Sequence, residues 1–159
     1  MSTVPVITKT MAREVFVAWC DALGVAPGKA FTGRVTELGM YAAICQGRIK
    51  IGFSHGPTQR IRQLREPLGN GLLEAYRPVV VIAGADQMDE HAVHRVLRPF
   101  TPFNRGDWKC EFYQAGSPVG ALVEAFASCP GAIVVPCPVG NVRTKARRRS
   151  PSPSSRSAA

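Results

Sequence analysis

The sequence predicts an α+β domain in which a small, mixed or antiparallel three-stranded sheet is flanked by helices. Two apolar-rich runs meet at Gln46-Gly47, a two-residue connection typical of a tight β-hairpin. A short apolar run over residues 78–83 has the composition of a buried third strand. Apolar residues recur at helical spacing before and after these strands. With 159 residues, the chain has the length of one domain with a core of its own.

The first 37 residues are expected to form an N-terminal arm and a helix. Residues 1–9 are predicted to be an extended arm. Between residues 11 and 23, the helical spacing is carried by Met11, Val15, Ala18, Trp19 and Ala22. Thr10 suits the start of this helix and Gly24 its end. We expect the helix to pack against the hairpin.

The two-residue connection also predicts the register of the hairpin. The paired positions are Cys45 with Arg48, Ala43 with Lys50, and Tyr41 with Gly52. Because side chains alternate along a strand, one face is wholly apolar and consists of Met40, Ala42, Ile44, Ile49, Ile51 and Phe53. The opposite face carries Tyr41 and Lys50, and Gly52 leaves space above the phenol. We therefore expect the apolar face to be core and the opposite face to be an accessible site.

A short basic helix is predicted after the hairpin. Pro57 suits the first helical position, and the helix is expected to end near Pro67. Its apolar stripe consists of Ile61, Leu64 and Leu68. Arg60 lies at the margin of this stripe, whereas Arg62 and Arg65 are predicted to point outward.

The remaining elements alternate in type. Residues 86–100 are expected to form a second helix, on which Glu90 and His94 stand four residues apart along one edge. Residues 107–113 have strand composition. Residues 116–138 are predicted to add a helix and a short apolar strand that pack on the domain.

The charge of the chain is concentrated at its end. The formal net charge is +9, which favours a polyanionic partner such as nucleic acid. Six of the 20 basic residues lie in residues 141–159, which contain no acidic residue, so 14 basic residues face 11 acidic ones elsewhere. Residues 139–159 are basic and rich in Ser and Pro, and we expect a disordered tail there that acts as an electrostatic arm or as a solubilising segment.

Composition argues against several other classes of protein. No apolar run approaches the roughly 18 residues of a membrane span, and no signal peptide is recognised at the N-terminus. Five cysteines without metal-ligand spacing favour free thiols in a reducing, cytoplasmic setting over a zinc site. The sequence leaves the oligomeric state open, and a homo-oligomer is one alternative.

Five short motifs follow one another along residues 38–115. They are GMY (39–41), IKIGFS (49–54), RIRQL (60–64), EHAVH (90–94) and EFY (111–113). In this order the chain resembles the GIY-YIG nuclease superfamily, with GMY in the place of GIY and KIG (50–52) in the place of YIG. The resemblance is closer to a branch of phage and bacterial DNA-binding domains that carries an IKIG motif. It implies that residues 38–115 form a GIY-YIG-like domain.

The resemblance also implies a phosphodiester hydrolase site made of Tyr41, Lys50, Arg60 and Glu90. Glu90 would hold Mg²⁺ or another divalent metal, since one carboxylate with substrate phosphate and waters suits weakly held Mg²⁺. Arg60 would contact the phosphate, and Tyr41 would position the attacking water or take its proton. A phenol with a pKa of about 10 needs a neighbouring cation for the second role at neutral pH. Lys50, diagonal to Tyr41 on the same face, is expected to be that cation.

DNA is therefore the expected partner, with no membrane and no small-molecule cofactor. The further nucleic-acid contacts are assigned to Arg48, His94, Arg143, Lys145, Arg147, Arg148 and Arg149. For His94, a packing role is the alternative. Two other functions stay open for the whole chain. A non-catalytic DNA-binding module of the same fold would need neither Mg²⁺ nor Glu90, and a structural protein tethered only by its tail would lose binding without residues 141–159.

Overall fold

A computed structural model describes residues 2–31, 39–101 and 111–137 of the chain, and the predicted α+β class is confirmed. The elements in these ranges are β1 (Ser2–Thr8), α1 (Lys9–Leu23), β2 (Gly39–Cys45), β3 (Arg48–Ser54), α2 (Pro57–Gln63), β4 (Arg65–Gly69), β5 (Leu72–Ala75), β6 (Arg77–Ala83), α3 (Gln87–Leu97), β7 (Phe112–Gln114), α4 (Pro118–Ala127) and β8 (Ile133–Cys137). A 3₁₀ turn, Arg98–Phe100, extends α3. The predicted tail over residues 139–159 lies outside the described residues.

The main sheet has six strands in the order β7-β3-β2-β6-β1-β8. β2 is antiparallel to both β3 and β6, so the three predicted strands are neighbours. The prediction of a three-stranded sheet is nevertheless wrong. The predicted N-terminal arm is strand β1, which runs parallel to β6 and antiparallel to β8. These pairings join distant parts of the chain, and a local sequence pattern does not contain them.

The hairpin register is confirmed at every predicted pair. Tyr41 lies opposite Gly52, Ala43 opposite Lys50, and Cys45 opposite Arg48. Gln46 and Gly47 have φ values of 51° and 72°. Both angles are positive, as a type I′ turn requires, and this turn suits the twist of the two strands.

One face of the sheet packs against α1, α3 and α4 and forms the larger core. The sheet contributes the predicted apolar residues Met40, Ala42, Ile49 and Ile51, together with Ile7, Val80, Ile82 and Tyr113. The helices contribute Ala12, Phe16, Cys20, Val93, Leu97, Val119, Leu122, Val123 and Phe126. Helix α1 begins before the predicted start, with Thr8 rather than Thr10 as its cap, and Gly24 ends it with a φ of 68°.

The opposite face of the hairpin is also covered, so the prediction that it is accessible is wrong. Tyr41 is 2% exposed and Lys50 is 6% exposed. The cover comes from Ile61 on α2 and from Tyr76 and Cys137, which pack with Tyr41 in a second apolar cluster. These residues follow the hairpin in sequence, and their position depends on tertiary packing.

Helix α2 is shorter than predicted. It ends at Gln63, and Leu64 already has extended backbone with φ −72° and ψ 132°. Pro67 favours extended backbone in the residue before it, which helps to stop the helix. The chain then forms the hairpin β4–β5, whose strands pair with each other outside the six-stranded sheet. Arg65 and Leu68 therefore lie on a strand rather than on the predicted helix.

Candidate active site

The Tyr41 side chain on β2 packs against Gly52, its paired residue on the neighbouring strand β3. A Cβ atom added at Gly52 would lie 2.6 Å from the Tyr41 hydroxyl oxygen and 2.7 Å from its Cζ atom. The phenol therefore lies directly over the glycine backbone. The absence of a side chain at position 52 is what gives the ring its place.

Arg60 reaches the same phenol from helix α2. Its guanidinium hydrogen-bonds the Tyr41 side chain, although Arg60 itself is largely exposed. Burial is the main cause that raises the pKa of Tyr41 above its usual value of about 10. The hydrogen bond and charge of Arg60 oppose this increase, while the charges of Glu111 and Glu90 add to it. Arg60 is thus the cation that acts on the phenol.

Glu90 lies in the first turn of α3 and is only 7% exposed. The helix starts with a capping box, in which Asp86 and Asp89 each accept a hydrogen bond from the other's backbone N–H. This box fixes the turn that carries Glu90. One helical turn later, His94 places its Nε2 atom 3.5 Å from Oε1 of Glu90.

His94 is held in place by Tyr113. Its Nδ1 atom hydrogen-bonds the Tyr113 hydroxyl, and the two rings stack with centroids 5.7 Å apart and an interplanar angle of 13°. The Nε2 atom of His94 is buried and has no hydrogen-bond partner among the described residues. His94 therefore lies beside Glu90 without a hydrogen bond to it, and its stacking on Tyr113 is the packing contact that the sequence left as an alternative.

Lys50 does not act on Tyr41 in the predicted way. Its ammonium forms an ion pair with Glu111 and lies 4.8 Å from the centre of the Phe112 ring. Arg60, not Lys50, lowers the pKa of the phenol. The sequence analysis placed Glu111 only in a strand-like run and missed this pair. The signal was a lysine on an interior strand, because a buried ammonium requires an anionic partner.

Of the other predicted nucleic-acid contacts, only Arg48 lies among the described residues. Arg48 pairs with Glu66 at 2.7 Å, and its guanidinium lies 5.7 Å from the centre of the Phe112 ring. The five predicted tail contacts, Arg143, Lys145, Arg147, Arg148 and Arg149, lie outside the described residues.

The donor set around Glu90 fits a hydrated cation better than a metal centre made by the protein alone. Within the described ranges, no group of three or more His, Cys, Asp or Glu side chains is arranged to hold an ion. One carboxylate in a buried, polar surrounding is compatible with Mg²⁺, which keeps several waters and binds through one or two carboxylates and a substrate phosphate. Four cysteines in these ranges are buried: Cys20, Cys45, Cys129 and Cys137.

Comparison with known proteins gives no match. No family model, no curated protein and no solved structure is significantly similar to the chain. Among the described residues, no helix is long and apolar enough to cross a membrane.

Proposed function

We propose that the chain is a DNA endonuclease or nickase of the GIY-YIG type, which hydrolyses phosphodiester bonds with Mg²⁺ or another divalent metal at Glu90. One observation carries the proposal. Tyr41 on β2, Arg60 on α2 and Glu90 on α3 lie close enough for the arginine to hydrogen-bond the phenol and for the carboxylate charge to act on it. These residues are widely spaced in the sequence, and together they supply a phosphate-binding cation, a metal ligand and a group that orients water.

Arg60 and Tyr41 have different roles at the phosphate: Arg60 binds it, and Tyr41 orients the attacking water. The planar, permanently charged guanidinium is exposed and suits a non-bridging phosphate oxygen, while one of its N–H groups holds the phenol. Since burial raises the pKa of Tyr41, the phenol is neutral near pH 7 and orients the attacking water through a hydrogen bond. Neutralising Glu90 removes one of the charges that raise this pKa.

A divalent metal, when bound, supplies a Lewis acid that stabilises negative charge on the scissile phosphate. Glu90 would hold it, and the His94 ring lies 3.5 Å from the Glu90 carboxylate on the next turn of α3. Glu111 is a second carboxylate whose charge acts on the phenol, and Lys50 balances this charge by forming an ion pair with Glu111. Lys50 therefore acts as a positioning residue beneath the site.

A non-catalytic DNA-binding module of the same fold is the second candidate. The burial of Tyr41, which is only 2% exposed, favours it because a buried phenol has little access to a water molecule. Such a module would bind DNA through exposed arginines and would not depend on Mg²⁺ or on Glu90.

Plasmid nicking separates the two candidates. We expect Mg²⁺-dependent nicking by the full chain, and a loss of about 10²-fold or more in Glu90→Ala and in Arg60→Ala. Glu124→Ala on α4 and Arg95→Ala on α3 are matched controls, since both side chains are exposed and lie outside the site. Absence of nicking with every divalent metal, together with DNA binding that Glu90→Ala leaves unchanged, would support the binding module instead.

A further inference from the structure

The hairpin β4–β5 protrudes from the domain. Its turn is formed by Gly69, Asn70 and Gly71, with φ values of 85°, 52° and 74°. All four residues of β5 are exposed, as are the last three residues of β4. This hairpin is therefore supported at its base and solvated towards its tip.

The tip carries three exposed leucines. Leu68 is 51% exposed, Leu72 is 63% exposed and Leu73 is 55% exposed. Leu68 lies where the strand register shifts between Pro67 and Gly69. Clustered large apolar side chains on a protruding element mark an interaction surface rather than ordinary surface variation.

The base of the hairpin is fixed to the domain by hydrogen bonds. Glu66 accepts bonds from Arg48 at 2.7 Å and from the Tyr76 hydroxyl at 2.6 Å. Glu74, which pairs with Glu66 across the two strands, accepts a bond of 2.7 Å from Gln46. Both acidic side chains are thus occupied by partners within the domain.

Two arginines lie at this base. Arg65 donates hydrogen bonds of 2.6 Å to the backbone carbonyls of Arg62 and Leu64. Both arginines line a pocket that Tyr76 and Ala75 also border. The Nε atom of Arg62 is buried and has no hydrogen-bond partner among the described residues. Both arginine side chains as a whole are only half-buried, so their charges are available to an anionic partner outside the domain.

We propose that the hairpin tip is a wedge for duplex DNA. Leu72, the leucine next to the turn, enters between neighbouring base pairs, and Arg62 and Arg65 contact the flanking backbone phosphates. Apolar wedges of this type unstack a base step and bend the duplex, and cationic side chains on either side supply most of the affinity. The inference rests on the proposed function because it takes DNA as the partner of this chain.

The position of the wedge relates it to the candidate active site. The Gln46 side chain donates a hydrogen bond to Glu74 of hairpin β4–β5. Gln46 follows Tyr41 by five residues in hairpin β2–β3, which corresponds to roughly 16 Å at the rise of a strand. Hairpin β4–β5 is therefore attached at the far end of the strand that carries Tyr41.

The test is a fluorescence titration in EDTA, in which binding is read without cleavage. Each short duplex in a set carries 2-aminopurine at a different position. We expect the full chain to increase the fluorescence at one step, and Leu72→Ser/Leu73→Ser to remove this increase and to weaken binding about tenfold. Ile133→Ser/Val134→Ser on edge strand β8 is the matched control, since those residues are 69% and 58% exposed. It should leave both readings unchanged.

A second variant tests the phosphate contact. Arg62→Met should weaken binding to all duplexes equally and reduce the slope of log affinity against log salt by about one. A fluorescence increase that survives the leucine substitutions would overturn the wedge. It would also be overturned if sedimentation shows that the chain is a dimer and that Leu72→Ser/Leu73→Ser makes it a monomer.

These outcomes are separable from those for the nuclease. Unstacking that depends on the leucines, without nicking under any condition, supports the wedge and removes the enzymatic proposal. Metal-dependent nicking without any leucine-dependent fluorescence change overturns the wedge and leaves the enzymatic proposal in place.

Discussion

Gly52 determines where the Tyr41 ring can lie. A methyl group at this position would be 2.6 Å from the hydroxyl oxygen and 2.7 Å from Cζ. Tyr41 is 2% exposed and has little room to move away. We expect Gly52→Ala to lower the free energy of unfolding by about 1–3 kcal/mol, as overpacking does, and to abolish nicking.

Urea denaturation measures this change. Gly116→Ala is the control, because a Cβ atom at position 116 meets no other atom within 4 Å. Equal stability of Gly52→Ala and the wild-type chain would mean that the ring does not rest against the backbone at Gly52.

The raised pKa of Tyr41 gives a second prediction. The folded state holds the phenolic proton more tightly than the unfolded state, so this stabilisation is present below about pH 10 and is lost as the pH rises through the folded pKa. Since Arg60 lowers this pKa, Arg60→Gln should raise it further. The Tyr41 titration is the difference in tyrosinate absorbance between each chain and its Tyr41→Phe variant, and Arg62→Gln on the same helix is the control. A decrease in pKa on removing Arg60 would contradict the hydrogen bond to Tyr41.

Two residues of the hairpin, Tyr41 and Lys50, show which contacts could be predicted from the sequence and which could not. The two-residue turn predicted the register that pairs Tyr41 with Gly52, because a tight hairpin permits one register. The Lys50 contact could not be predicted in this way. Its partner Glu111 lies 61 residues away, and only the pairing of β3 with β7 brings the two side chains together.

At the level of secondary structure, the N-terminal turn of α3 connects separate parts of the domain. Asp89 closes the capping box with Asp86, pairs with Lys9 of α1 at 3.2 Å, and accepts a hydrogen bond from the Phe31 backbone. Asp89 is 2% exposed. It therefore links two helices and a loop at the turn that carries Glu90.

Replacing Asp89 should have a large effect on stability. Asp89→Ala removes a cap and leaves the Lys9 ammonium buried without its counter-charge, and we expect a loss of about 3–5 kcal/mol. Thermal unfolding measures it, and Asp21→Ala on the exposed face of α1 should cause no comparable loss. Lys9→Met in the Asp89→Ala background should restore part of the stability. A loss below 1 kcal/mol would show that the Lys9 contact is not formed.

Helix α2 shows where local patterns mislead. The spacing of Ile61, Leu64 and Leu68 is helical, yet the last two residues lie beyond the end of the helix. Ile61 alone is buried in the cluster around Tyr41. Residues 69–71, for which the sequence analysis predicted no hairpin, form the turn between β4 and β5 that carries the proposed wedge.

In the whole molecule, the main sheet extends beyond residues 38–115, the segment that carries the sequence motifs. Residues 38–115 contain the hairpin, α2, β6 and α3, and this order was readable from local spacing. Strands β1 and β8 complete the sheet on the other side of β6. Neither strand has a sequence signal for its partner, because parallel pairing of β1 with β6 crosses more than 70 residues of chain.

This topology predicts that the motif-bearing segment does not fold alone. A fragment of residues 38–115 lacks β1, α1, α4 and β8, so Val80 and Ile82 lose the strand beside them. The larger core also loses Phe16 and Phe126. The hydrophobic area that remains is too small to offset the conformational entropy of ordering the fragment. We expect residues 1–137 to unfold cooperatively in urea and residues 38–115 to show no transition by far-ultraviolet circular dichroism.

The two fragments also test the extent of the proposed nuclease domain. Residues 1–137 retain every strand and helix of the described chain, and should keep metal-dependent nicking with weaker and less salt-sensitive DNA binding, since six basic residues are removed with the tail. A cooperative transition and nicking by residues 38–115 would instead make β1, α1, α4 and β8 an accessory layer. The expected dependence on β1 follows from its place between β6 and β8, because its removal makes β6 an edge strand and leaves β8 without a neighbour in the sheet.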